Sequence, residues 1–227
     1  MPVASKSWVQ QGGVAALLAD AYRRAPGGYV AFLDESFELE ANRRTFYLMS
    51  AVVAHRDQLE PLRDGLLDVV GDRYWHTTES LLTSDGRQQA VEVADYLGDE
   101  NGTEVCIVSC RMPLGDDGGD AARRACFGQL AAGLCTGIQP LANGVHLMVL
   151  EQRQAQHERS FDAKIVKELR AEKVICRQCQ LKQVSPRDEK LLWLPDLVSS
   201  AVRRNITHQE KDLLEPIEHI VRVLNCP

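Results

Sequence analysis

The sequence predicts an α/β fold in which a mixed five-stranded sheet is flanked by helices. Short apolar runs typical of buried strands alternate with amphipathic helical segments along the chain. The chain has 227 residues, of which 44% are hydrophobic and 26% are charged. This length and composition suit one domain with its own core, spanning 1–227.

The beginning of the chain predicts one helix and two strands. Apolar residues at helical spacing over 8–24 predict a helix that stops at the proline and glycines of 26–28. Residues 29–33 are a continuous apolar run, which is typical of a strand buried on both faces. Residues 45–53 predict a second strand, close enough in sequence to form a hairpin with the first.

A helical insertion over about 55–98 is predicted after the second strand, with helices at 58–70 and 87–97. The remaining predicted strands are 103–110, 145–150 and 174–184, and the remaining helices are 121–138, 161–170 and 194–206. Without the insertion, the order is strand, strand, strand, helix, strand, helix, strand, helix. This is the element order of the ribonuclease H-like fold.

A C-terminal helix over about 209–224 is predicted from the spacing of its apolar residues, which are Leu213, Ile217, Ile220 and Leu224. Such a helix packs either on its own domain or against a second copy in a homodimer. Periodicity alone leaves both outcomes open.

The charge distribution keeps nucleic acid open as a partner. The net charge of −6 argues against a general nucleic-acid binder. Residues 151–211, however, carry 13 Lys and Arg against 9 Asp and Glu. A basic segment of this kind is either a solvated surface or a phosphate-binding track, and both interpretations stay open.

The cysteines favour a reducing compartment, because there are seven of them in a chain large enough to fold without disulfides. With no apolar run of membrane-spanning length and no signal-peptide core, we expect a cytoplasmic protein. Cys176 and Cys179 form a Cys-x-x-Cys pair, but no second pair follows at zinc-ribbon spacing. Coincidence is the favoured interpretation of the pair, and metal binding there stays an alternative.

Acidic residues at the ends of predicted elements suggest a metal centre. Asp34 follows the first strand, Glu151 follows the fourth, and Asp196 opens the helix at 194–206. If the two strands are parallel neighbours, these three acids converge, and such clusters bind the Mg or Mn pair used in phosphodiester hydrolysis. Taken singly, each acid also has an ordinary explanation as a turn, strand-end or helix N-terminal residue.

Three further residues are candidates for the same site. His76 is a candidate proton shuttle or metal ligand, and Glu79 would share its face of a helix. The alternative is a capped helix start in which Glu79 occupies the first turn. Arg203, seven residues after Asp196, is a candidate phosphate ligand, although exposed arginines are more often only solvated.

The motifs resemble those of the family called domain of unknown function 3800. Asp34-Glu35-Ser36 after an apolar strand resembles the family's Asp-Glu-Ser motif, and 76–79 resembles its His-containing acidic segment. Residues 192–204 resemble its Leu-Gln-x-Ala-Asp-Leu helix. The resemblance implies a ribonuclease H-like fold and a metal-dependent nuclease. By motif, it carries over site roles to Asp34, Glu35, Glu79 and Asp196.

The departures from the family pattern keep two rival functions open. Trp193 stands where the family usually has Gln, Pro195 where it has Ala, and the fourth-strand acid is Glu151 rather than Asp. The first rival is a catalytically inactive ribonuclease H-like module that binds nucleic acid or a protein partner. The second is an unrelated small-molecule enzyme or a zinc-stabilised domain that uses Cys176 and Cys179.

Overall fold

The computed structural model describes residues 13–40, 43–99, 101–114, 118–137 and 144–226. Residues 8–12 of the predicted first helix and residue 138 of the helix predicted at 121–138 lie outside the described residues. The strands are β1 (Tyr29–Glu38), β2 (Phe46–His55), β3 (Val105–Arg111), β4 (Leu147–Glu151), β5 (Gln180–Val184) and β6 (Val221–Asn225). The helices are α1 (Val14–Arg24), α2 (Leu59–Val70), α3 (Thr77–Ser80), α4 (Ser84–Leu97), α5 (Gly118–Thr136), α6 (Gln156–Ala171) and α7 (Trp193–His208).

The six strands form one mixed sheet in the order β5-β4-β1-β2-β3-β6. β2 is antiparallel to β1 and β3, whereas β4 is parallel to β1 and β5 is parallel to β4. The order of the first five strands, with only β2 reversed, is that of a ribonuclease H-like sheet. The predicted fold class is therefore confirmed, with one strand more than expected.

β1 lies at the centre of the core, as its apolar run predicts. Val30 and Phe32 contact the layer formed by α1, α2, α4 and α7, while Ala31 and Leu33 contact the layer of α5 and α6. All four side chains are fully buried. Each of the larger ones contributes about 1.5–3 kcal/mol to stability, so the middle of the sheet is held from both faces.

The predicted helical insertion is present between β2 and β3, where α2, α3 and α4 cover one face of the sheet. α2 ends at Gly71, whose φ of 85° lies in the left-handed region that favours glycine. The Thr83 side chain accepts a hydrogen bond from the Gly86 amide and caps α4. No helix in the described part of the chain is long and apolar enough to span a bilayer.

The predicted C-terminal helix over 209–224 is wrong. Glu215–Ile220 forms a short 3-10 segment, and Val221–Asn225 forms β6, which pairs parallel with β3. Leu213 and Ile217 are nevertheless buried in the core, which accounts for the helix-like apolar spacing. The open edge of β3 offers backbone hydrogen-bond partners that periodicity cannot reveal. The helix on which the homodimer alternative depended is therefore not formed.

Two other strand boundaries differ from prediction. β5 begins at Gln180 rather than at Val174, because Cys176 to Cys179 form a turn closed by a 3.2 Å hydrogen bond from the Cys179 amide to the Cys176 carbonyl. β1 continues to Glu38 instead of ending before Asp34, because its pairing with β2 continues to the end of the strand. Asp34 is thus a strand residue and not a loop residue.

Candidate active site

Two acids lie side by side where β4 ends against β1. Leu33 pairs with Leu150 in the parallel register, so Asp34 and Glu151 are the next neighbours along the two strands. Leu33 and Leu150 face the layer of α5 and α6. Because side chains alternate along a strand, Asp34 and Glu151 both point to the opposite face, where α7 packs.

Hydrogen bonds to the sheet hold the first turn of α7 over these acids. Ser50 on β2 pairs with Asp34 in the antiparallel register. Its hydroxyl donates to the Pro195 carbonyl at 2.8 Å and lies 2.9 Å from the Ser199 hydroxyl. Asp196, in the same first turn, is held next to the strand acids and is only 9% exposed. The structure therefore brings Asp34, Glu151 and Asp196 together.

The segment before α3 supports Asp196 from the insertion. The Thr77 amide donates to Asp196 Oδ2 at 2.8 Å, and His76 Nδ1 lies 3.9 Å from the same oxygen. Trp75, just before His76, packs against Trp193 with ring centroids 6.3 Å apart. Trp193 thus fastens the His76 segment to the start of α7 and does not displace Asp196 from the site.

The acids border an open cleft of about 240 Å³. Its other charged and hydroxyl-bearing residues are Glu35, Ser36, His76, Thr78, Arg123, Arg153, Ser199, Ser200 and Arg203. A cleft that combines carboxylates with guanidinium groups can bind cations and phosphate oxygens together.

Negative charge is crowded in this cleft. Burial first, and then the charges of Asp196 and Glu151, raise the pKa of Asp34 well above its usual value, while Arg123 opposes the shift. Burial and the Asp196 charge also raise the pKa of Glu151, with His76 opposing. The surrounding positive charge does not compensate the acids fully, and a bound cation would do so.

The donor set fits hard divalent cations, which prefer carboxylate oxygens. Among the described residues, Asp34, Glu151 and Asp196 do not form a group whose ligand atoms all lie within 4.8 Å of one another. Binding of one ion by all three acids would therefore draw their side chains closer together.

Glu35 does not join these three acids. It points to the face of α5 and α6, where it contacts Arg123 and accepts a hydrogen bond from the Tyr47 hydroxyl. Arg123 is almost fully buried and also pairs with Asp162 at 2.7 Å, while Arg153 lies 3.9 Å from Glu35. Although Glu35 borders the cleft, its carboxylate is already bound by cations of the chain.

The two remaining candidates are placed differently. Glu79 is exposed on α3 and does not border the cleft. Arg203 does border it, and its Nη2 lies 3.4 Å from the Thr78 hydroxyl. Arg204, one residue further along α7, instead forms an ion pair with Glu210 on the protein surface.

Sequence reasoning missed Arg153. It borders the cleft two residues after Glu151, and its Nη2 pairs with Glu158 at 2.6 Å. Its position directly beyond a predicted strand end was a usable signal, because residues that follow parallel strands line the same edge of a sheet.

No family model matches the chain, and no curated protein sequence matches it. The likeness to domain of unknown function 3800 therefore stays a resemblance. The strand order and directions assign the fold. It is ribonuclease H-like.

The chain is similar to several solved ribonucleases. The match with a mutant of Bst-RNase HIII covers 90% of this chain and 61% of the mutant's chain, with 10% identity and a TM-score of 0.45. The match with ribonuclease H2 from Pyrococcus horikoshii OT3 covers 83% of this chain and 77% of that chain, with 13% identity and a TM-score of 0.42. The match with Bst-RNase HIII in complex with Mn²⁺ covers 95% of this chain and 60% of that chain, with 11% identity and a TM-score of 0.42. This chain thus spans about three fifths of the Bst-RNase HIII chains.

Proposed function

We propose that this protein is a divalent-metal-dependent nuclease, in which Asp34, Glu151 and Asp196 hold Mg or Mn. The observation that carries the proposal is the convergence of these three acids in one cleft from β1, β4 and α7. The raised pKa of Asp34 adds support, because it marks an excess of negative charge that a cation would neutralise.

The chain's own residues orient the site. The Thr77 amide fixes one oxygen of Asp196, which lines the cleft. His76 Nδ1 accepts a hydrogen bond from the Thr78 amide at 3.2 Å, so the proton of the neutral ring resides on Nε2. His76 borders the cleft and can therefore donate a hydrogen bond from Nε2 to an oxygen of a ligand there.

Two arginines supply contacts for a phosphate group. Arg153 and Arg203 both border the cleft, one after β4 and the other on α7. Guanidinium groups bind phosphate oxygens through charge-assisted hydrogen bonds, and these contacts position the backbone of a nucleic acid without reading its sequence. A bound divalent ion would supply Lewis-acid polarisation of the phosphoryl oxygen and activation of water.

The test is cleavage of labelled single- and double-stranded DNA and RNA with Mg or Mn. We expect Asp34→Asn and Asp196→Asn each to lower the rate by at least about 100-fold, since even residues that only orient metal ligands change activity by about 10 to 100-fold. Glu79→Gln is the matched control, because Glu79 is an exposed acid outside the cleft. It should keep the wild-type rate.

Two outcomes would contradict the proposal. The first is cleavage that survives both substitutions, which would indicate a contaminating nuclease. The second is a wild-type protein that cuts none of these substrates and shows no Mn binding by calorimetry. That result would favour a catalytically inactive module that binds nucleic acid or a protein through its basic segment.

A further inference from the structure

A second set of metal-ligating side chains lies far from the acids. One ligand atom each of Cys135, His146 and Cys176 lies within 4.8 Å of the other two. Cys135 is in the last turn of α5, His146 directly precedes β4, and Cys176 lies in the turn before β5. His146 is five residues before Glu151 on an extended chain, so about 16 Å separates this cluster from the candidate active site.

The turn that carries Cys176 is anchored to α5 and also carries a candidate fourth ligand. The Cys176 amide donates to Cys135 Sγ at 3.2 Å, so the turn is already anchored to the end of α5. The same turn carries Cys179, whose side chain is fully buried. Burial, together with the nearby charges of Cys135 and Cys176, raises the pKa of Cys179 to about 12. Its thiol lies outside the group of ligand atoms that are within 4.8 Å of one another.

The histidine is incompletely satisfied without a ligand. His146 Nδ1 is buried and lacks a hydrogen-bond partner among the described residues. A buried polar atom without a partner is costly to stability, and each such atom in a folded protein calls for an explanation. Coordination of a metal ion through this nitrogen would supply the missing partner.

We propose that Cys135, His146 and Cys176 bind a structural zinc ion, and that Cys179, in the same turn as Cys176, moves in as the fourth ligand. Three thiolates and one imidazole are a common ligand set for tetrahedral zinc, and their softness separates this site from the carboxylate cluster. On binding, the three thiols release their protons to solvent while His146 binds as the neutral ring. The proposal is independent of nuclease activity.

The zinc ion would join parts of the fold that are remote in sequence. It would fasten the end of α5 and the turn before β5 to the start of β4, next to the edge of the sheet. It also gives the Cys-x-x-Cys pair a role. The two further ligands that the pair needs are His146 and Cys135, which lie 30 and 41 positions before Cys176.

The experiment measures metal in the full-length protein, purified under reducing conditions without added metal. Elemental analysis should find about one zinc ion per wild-type chain. Cys176→Ser and Cys135→Ser should each lose most of it, whereas Cys110→Ser, a matched change of a half-buried thiol elsewhere, should keep it. Asp34→Asn should also keep it, which separates this site from the proposed active site.

A cobalt titration of zinc-depleted wild-type protein tests the ligands without any variant. Thiolate ligands should produce a near-ultraviolet charge-transfer band and the intense visible bands of tetrahedral cobalt, and added zinc should remove them. The proposal is overturned if wild type contains no zinc and gives no such bands, or if Cys176→Ser retains its zinc. It is also overturned if peptide mapping of the reduced preparation finds Cys135 and Cys176 joined by a disulfide.

Discussion

Replacing Asp34 with Asn is expected to stabilise the metal-free protein and to remove its response to metal. Asp34 is 8% exposed, and the charges of Asp196 and Glu151 oppose its ionisation. Asn has nearly the same shape and no charge. The substitution therefore removes electrostatic repulsion from the core edge together with a metal ligand, which is the usual conflict between stability and function at a binding site.

The size of the effect follows from the sheet geometry. Adjacent strands lie about 5 Å apart, and two unit charges at that distance repel by about 3 kcal/mol at an effective dielectric of 20 and by about 1 kcal/mol in bulk water. Because the cleft is open and Asp34 can take up a proton, we expect a gain of about 1–2 kcal/mol at neutral pH. For a domain of this size that gain raises Tm by about 2–8 °C.

The pH dependence has a definite sign. Since the pKa of Asp34 is raised on folding, the folded state holds this proton at pH values where the unfolded state has lost it. The contribution of Asp34 to stability therefore falls as the pH rises from about 4 through the raised folded-state pKa. The asparagine of the variant has no proton to release in this range, so the variant does not lose stability in this way. The Tm difference between Asp34→Asn and wild type should therefore widen toward neutral pH.

The assay is thermal unfolding followed by circular dichroism in metal-free buffer and again with excess Mn²⁺. Wild type should gain stability with Mn²⁺, by about 2.7 kcal/mol at a concentration 100 times Kd, and Asp34→Asn should gain almost none. Glu35→Gln is the matched control on the next residue. It should lower Tm, because it removes a partner of the buried Arg123, and it should keep the Mn²⁺ response.

Either of two results would refute this reasoning. One is a lower Tm for Asp34→Asn than for wild type in metal-free buffer at neutral pH, which would mean that the Asp34 charge stabilises the fold. The other is an equal Mn²⁺-induced rise in Tm for variant and wild type, which would place the metal elsewhere.

Arg203→Ala should leave Tm nearly unchanged but weaken nucleic-acid binding and reduce the salt dependence of log Kd by about 1, measured by fluorescence anisotropy; an unchanged slope would exclude a phosphate contact. Arg123→Ala should destabilise the protein by about 3–5 kcal/mol in urea unfolding, because it leaves the buried Asp162 carboxylate uncompensated. Arg63→Ala should destabilise the protein in the same way, since Arg63 binds the buried Glu189 at 3.0 Å. For either variant, a fall in the free energy of unfolding of less than about 1 kcal/mol would show that water replaces the arginine.

Several features followed from local sequence alone. A continuous apolar run marked β1 as central because only a strand buried on both faces lacks polar positions. The placement of Asp34 and Glu151 directly after apolar runs indicated that they would meet, since matching positions of parallel neighbouring strands lie side by side. Helical spacing likewise located α2 and α7.

The tertiary structure decided the features that depend on distant partners. Apolar spacing alone predicted a helix at 209–224, but the open edge of β3 draws Val221–Asn225 into a strand. The sequence offered Glu35 as a secondary ligand beside Asp34, but the alternation of side chains along β1, with Arg123 on α5, places it on the other face.

The sequence by itself thus determined the order of the central elements and the acids that follow their apolar runs, because both depend on neighbours within a few residues. Only the tertiary structure brought Cys135 and His146 to the pair formed by Cys176 and Cys179. Their meeting depends on how α5 packs against the sheet, and a contact between residues 30 or more positions apart leaves no local pattern in the chain.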